Sequence, residues 1–254
     1  MDSLALKLVL TPALIGAASL AGRRWGHGLS GWLVGLPLTS GPVVFFLAWE
    51  QGVAFARAAA VGSLAGALAE AAFCLAYGRL AARGPWPLAL GSSCLAFAAA
   101  ALALQHLPLG IAWLLPAVVA ALALAFRLIP GGAPRGVAPP PPRWDIPARM
   151  AVTTGLVLLL TGAAPALGPR LAGLLATFPL YAAILTVFAH RQEGPGPAVQ
   201  VLGGLLLGLF SFAGFFAVLA ALLDRAGMVL GFTAAVGAAL VLQACSLALV
   251  PGRK

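Results

Sequence analysis

Apolar residues run through this chain in blocks of about 20, the length that crosses a bilayer core of about 30 Å as an α-helix. Short clusters rich in glycine, proline and charge separate the blocks. They include Arg23-Arg24-Trp25-Gly26, Glu50-Gln51-Gly52, the run from Gly78 to Pro85, Arg191 to Pro197, and Asp224 to Gly227. The pattern predicts membrane helices near 4–22, 31–49, 58–77, 88–105, 109–129, 146–168, 171–190, 198–222 and 228–250. Within 88–129 the one interruption is Gln105-His106-Leu107-Pro108, read as a short hairpin between two full spans. Residues 130–145 are a proline-rich extended linker. Ser19-Leu20-Ala21 resembles a signal-peptidase site, but the preceding segment carries only Asp2 and Lys7, so the first span is expected to be retained.

Composition supports the same class. Of 254 residues, 62% are hydrophobic and 8% charged, against roughly 25% charged in a soluble domain. So few charges cannot cover a water-exposed surface, and an all-α polytopic membrane protein is the expected fold. The net charge of +9 therefore concerns orientation rather than nucleic acid. With nine spans, one side collects Arg23, Arg24, Arg79, Arg83, Arg127, Arg135, Arg143, Arg149, Arg191, Arg253 and Lys254. The other collects Lys7, Arg57, Arg170 and Arg225, a division of 11 against 4. Removing one helix of the 88–129 pair gives 9 against 6. The expectation is a multi-pass protein of a bacterial inner membrane, its N-terminus outside and its C-terminus and linker 130–145 cytoplasmic.

Shifting the sequence on itself by 142 residues aligns Gly26 with Gly168, Gly31 with Gly173, Pro37 with Pro179 and Gly52 with Gly194. Gly62 and Gly66 meet Gly204 and Gly208, and Lys7 meets Arg149. Glycine and proline answer backbone demands that other residues do not meet, so these ungapped coincidences predict a repeat. The division is 1–105 for the first copy, 106–129 for a connecting helix, 130–145 for the linker and 146–254 for the second copy. Five spans separate the two starts, and an odd number inverts the second copy across the membrane. Inverted repeats are a recurring plan of secondary transporters, with the site at their interface near the midplane.

Leu171-Ala172-Gly173-Leu174, Phe178-Pro179, Gly194 and a Gly-rich helix after it resemble the bacterial GlpM-like family of small four-helix inner-membrane proteins. The resemblance covers about 100 residues of the second half, with an echo at Gly31, Pro37 and Gly52. It implies an inner-membrane location and a link to exopolysaccharide production, and it brings no catalytic residues. This chain departs from the family as a fused double copy with an added helix.

Chemistry-bearing positions are few. Glu70 lies mid-span in AGALAEAAFCLAY, where an acidic side chain costs about 2.5–3.5 kcal/mol to insert. Gly62, Gly66, Glu70 and Cys74 follow a spacing of four, which predicts a glycine-packed face turned into the protein. Glu70 is then either a proton or cation site or a carboxyl tied to a neighbouring helix. Its position in the second copy is Phe212. Pro37, Thr39, Ser40 and Pro42 loosen the second span, and Pro179, Tyr181 and Thr186 stand in its counterpart. These segments are either two half-sites meeting across a pseudo-two-fold or ordinary proline kinks. Lys7 and Arg149 are snorkelling residues or counter-ions for Glu70. Glu50, Glu193 and Asp224 are expected to pair at span ends with Arg57, Arg191 and Arg225. Cys74, Cys94 and Cys245 read as small hydrophobes, and no metal or cofactor signature appears.

No enzyme template fits, so catalysis is not expected. The expected function is a permease for a small molecule or ion, coupled through Glu70. The alternatives are a scaffold for envelope assembly and, third, a lipid-modifying enzyme.

Overall fold

The structure, a computed structural model, describes residues 3–105, 110–131 and 142–250; for 3–8, 160–161 and 163–176 it describes the backbone alone. Every element among these residues is helical: α1 (Ser3–Trp25), α2 (His27–Val34), α3 (Ser40–Gln51), α4 (Val53–Ala81), α5 (Trp86–Gln105) and α6 (Ile111–Leu128). α7 (Asp145–Ala176), α8 (Leu180–Glu193) and α9 (Pro195–Ser246) follow. Among the described residues four helices are long and apolar enough to cross a membrane: α4, α5, α6 and the run from Pro195 to Leu249. Most of linker 130–145 and the whole 106–109 turn lie outside the described residues.

The last of the four folds back on itself. Gly227 has φ 75° and ψ 178°, a conformation open to glycine, and the hydroxyl of Ser211 donates to the Ala239 carbonyl at 2.7 Å across it. The two arms are thus an antiparallel hairpin, at the boundary the sequence places near 224–227.

The span expected at 31–49 is two helices. α2 ends at Val34 and α3 begins at Ser40. Pro37 lacks an N–H and disfavours helix at Leu36, so the chain turns on a short Leu38 N–H to Leu36 carbonyl bond of 2.8 Å. In the second half the helical backbone continues from Asp145 past the expected loop at 168–171 and stops at Ala176. There Pro179, at φ −76° and ψ 60°, forms an inverse γ-turn closed by Leu180 N–H to the Phe178 carbonyl at 2.8 Å.

α4 is central, packed by α3, α5, α6 and α9. Leu64, Phe73, Tyr77, Leu122, Leu206 and Phe216 are fully buried around it. α2 lies on α9 with backbones in direct contact. A methyl on Gly31 would overlap the Val201 carbonyl, one on Gly204 the Gly28 carbonyl, and one on Gly35 would come within 2.7 Å of the Gly208 Cα. α1 packs along α7. Large apolar side chains cover the outside, including Val229, Leu95 and Leu159, as a lipid-facing surface requires. Exposed Trp25, Trp49, Trp113 and Trp144 lie at helix ends, the place of the aromatic belts of membrane proteins.

Candidate functional site

The two helix breaks meet. Gly35, Leu36, Thr39 and Ser40 of the first, and Thr177, Phe178, Tyr181 and Ala182 of the second, line one cavity of about 110 Å³. α4 contributes Ser63 and Glu70, and α9 contributes Leu205, Leu209 and Phe212. Such a volume admits several waters or a small organic molecule.

Glu70 sits mid-way along α4, 9% exposed. Among the described residues it makes no ion pair and no side-chain hydrogen bond. Among the described residues no lysine, arginine or histidine lines the cavity. Thr39, Ser40, Ser63 and Thr177 bring hydroxyls to the wall. The Tyr181 ring lines it while the phenol donates to Thr11 of α1 at 3.3 Å.

The helix face that reaches the cavity differs from the predicted one. A helix has 3.6 residues per turn, so a row of fours drifts by about 40° per step. Gly66 remains on the cavity side, its missing Cβ 3.3 Å from Thr177, whereas Gly62 faces open space and packs against nothing within 4 Å. Gly204 and Gly208 press on α2, as above. Pro37 and Pro42 do not line the cavity. Pro37 sets the turn and its carbonyl accepts the Gly41 N–H at 2.9 Å; Pro42 is exposed in the first turn of α3, where its missing N–H costs no helix bond. Thr186 is fully buried deeper in α8, and its hydroxyl has no partner among the described residues.

Arg149 is no counter-ion for Glu70. Its Nε donates to Asp145 at 2.9 Å, one turn away on α7, and its guanidinium lies 5.1 Å over the Phe188 ring. Asp145 also receives Arg23 at 3.0 Å and Gln192 at 2.6 Å, tying α1, α7 and α8 together. Burial alone would raise the Asp145 pKa. The hydrogen bond and charge of Arg149, with the hydrogen bonds of Gln192 and Arg23, outweigh it and hold the carboxyl below its ordinary value. The Lys7 side chain lies outside the described residues. The expected neighbour pairs at span ends are also replaced by longer-range ones: Glu193 binds His27 at 2.9 Å, and Arg57 binds Asp224 at 3.2 Å. Sequence neighbours point to different sides of a helix end, so packing between helices decides these partners.

No family model matches the chain, and neither a curated protein nor a solved structure matches it.

The sequence reading missed Ser63, Thr177, Phe178 and Leu205 as wall residues. The 142-residue offset carries the signal that finds them. Gly35 with Thr177, Leu36 with Phe178, and Thr39 with Tyr181 are each 142 apart, and all six line the cavity. Ser40 with Ala182, Ser63 with Leu205, and Glu70 with Phe212 do the same.

Proposed function

We propose that the chain is a secondary transporter or permease of a bacterial cytoplasmic membrane, built from two inverted four-helix repeats joined by a fifth helix, nine spans in all. Its small substrate binds in the cavity between the two helix breaks, and Glu70 is the group that exchanges a proton or cation. The carrying observation is the pairing of the cavity wall at one fixed offset, which is what a site on a pseudo-two-fold axis produces.

Further correspondences support the repeat. The γ-turn bonds centred on Pro37 and Pro179 are 142 apart, and so are Gly52 at φ 90° and Gly194 at φ 94°. Inversion is supported by helix direction. α1 and α7 occupy equivalent places and run antiparallel, since Arg23 meets Asp145 while Gly16 meets Met150. α4 and the first arm of α9 are likewise antiparallel: Arg57 at the start of α4 reaches Ala220 and Asp224 near that arm's end. Orientation follows from charge, with the face carrying Arg23, Arg79, Arg149 and Arg191 cytoplasmic.

Broken backbone inside a membrane is tolerated only in protein or at a water-filled cavity, and here two breaks share one cavity with the lone mid-span carboxylate. The decisive experiment is a small-molecule stabilisation screen on purified protein beside Glu70→Gln, with uptake of any hit measured in proteoliposomes. Transport predicts a hit whose uptake is lost in folded Glu70→Gln. Full uptake by that variant removes Glu70 from coupling. A stoichiometric co-purifying partner with no ligand-induced shift favours the scaffold reading instead.

A further inference from the structure

The charge and shape of the cavity narrow its ligand. Helix ends are the first term. α3 and α8 begin at the cavity and bring partial positive ends, while α2 ends there and α7 ends at Ala176, one residue before the wall residue Thr177. Each end carries about half a unit charge, so two of each sign largely cancel. What remains is Glu70, the one acid of the wall, with no basic side chain beside it among the described residues. Among the described wall residues an anion finds no basic side chain to pair with.

The second term is the aromatic part of the wall. Phe178, Tyr181 and Phe212 put three rings on the same cavity as the carboxylate. Phe178 is itself fixed edge-to-face by Phe73 and Phe97, at centroid distances of 5.8 and 5.4 Å. Phe212 packs against Phe216 with the rings tilted by 60° and centroids 4.6 Å apart. A bare metal ion would gain the carboxylate and hydroxyl oxygens but leave the rings unused. A cation with carbon substituents uses the carboxylate and the rings, since ring π-systems attract ammonium groups and apolar surface receives their methyl groups.

We propose that the cavity binds a small organic ammonium, its positive nitrogen on the Glu70 carboxylate and its carbons against Phe178, Tyr181 and Phe212. The proposal rests on the reading of this cavity as the binding site, and it goes beyond that reading in naming the ligand class. Phe212 is then the second copy's functional answer to Glu70: one copy supplies the charge and the other the aromatic surface.

The test uses the full-length protein in detergent and a hydrophobic carbodiimide, which forms a stable N-acylurea on a carboxyl in apolar surroundings and is read as a mass increase on the peptide holding Glu70. The probes are tetramethylammonium, ethylammonium, sodium chloride at equal ionic strength, and acetate. An ammonium probe at ten times its Kd is expected to slow labelling about tenfold, by occupancy, and to raise the melting temperature. Sodium chloride and acetate leave both unchanged. In Glu70→Gln the thermal shift disappears; in Phe212→Leu the protection needs at least several-fold more ammonium. Equal protection by sodium alone, or no protection by any ammonium, overturns the proposal, and these readings on wild type stand even where a variant fails to fold. Proteoliposome uptake separates the two ideas. Ammonium that protects Glu70 yet is never accumulated leaves the site and removes transport; uptake of an unrelated neutral or anionic hit does the reverse.

Discussion

At the residue scale, the glycines divide by what a single methyl would meet. Gly31 and Gly204 hold α2 and α9 at backbone contact, with a carbonyl where each Cβ would be. Gly31→Ala is expected to force the helices apart and to cost about 1–3 kcal/mol or more, as overpacking does. Gly62→Ala meets open space in a helix interior and is expected to be neutral or to gain about 0.5–1 kcal/mol. Melting temperatures in detergent check the contrast: equal losses at both positions would show that the α2–α9 contact is not what glycine serves. A spacing of four marked Gly62 and Gly66 as one packing face, but sequence spacing is blind to which neighbour lies opposite. The matched positions Gly204 and Gly208 are pressed by α2, and Gly62 is not. Glu70 was legible because acids are scarce, six in the whole chain. Its wall partners Ser63 and Leu205 were not, since small hydroxyls and leucines are ordinary in any membrane helix.

Helices as elements were largely legible, because apolar block length and glycine or proline punctuation are local. The broken second span follows from Pro37, whose effect on its own backbone needs no tertiary context. Ion pairing was not legible, because a charged residue at a helix end chooses among elements distant in sequence. Asp145 is the case in point. It binds Arg149 on its own helix, Arg23 on α1 and Gln192 on α8, and is 1% exposed. Its folded pKa is depressed, so its contribution is full above the unfolded value near 3.9 and is lost as pH falls through the lower folded value. Stability in detergent is therefore expected to fall steeply on acidification into that window, and the slope to flatten in Asp145→Asn. Asp145→Ala at neutral pH leaves the Arg149 guanidinium, 6% exposed, without its partner and is expected to cost about 3–5 kcal/mol. Arg23→Ala, at a side chain one-third exposed, is expected to cost no more than about 1 kcal/mol. Chemical or thermal melts of the two variants side by side check this; an equal loss in both would place the strength of the clasp in Arg23.

The whole molecule is tied between its halves at both faces, and unequally. On the arginine-rich face, Arg23–Asp145 and His27–Glu193 join the first half to the second, with Asp145 and Arg149 deeply buried. On the opposite face the cross-half pair among the described residues is Arg57–Asp224, whose side chains are 48% and 47% exposed. An exposed pair contributes at most about 1 kcal/mol, whereas opening the buried cluster strands charges at several times that cost. If the halves rock, the face carrying Arg57 therefore opens first from this arrangement. Thr39 lies on the cavity wall, and a cysteine placed there reports access directly. In a background with Cys74, Cys94 and Cys245 replaced, Thr39→Cys is expected to react with a membrane-impermeant thiol reagent from the Arg57 face and to stay protected from the Arg23 face. Right-side-out and inside-out vesicles supply the two directions. Adding Arg23→Ala to Thr39→Cys weakens the arginine-rich clasp and should raise labelling from that side. Labelling confined to the Arg23 face in the unweakened protein would overturn the assignment of the two clasps. The outcome would then point to helix packing, rather than ion pairing, as what closes the cavity there.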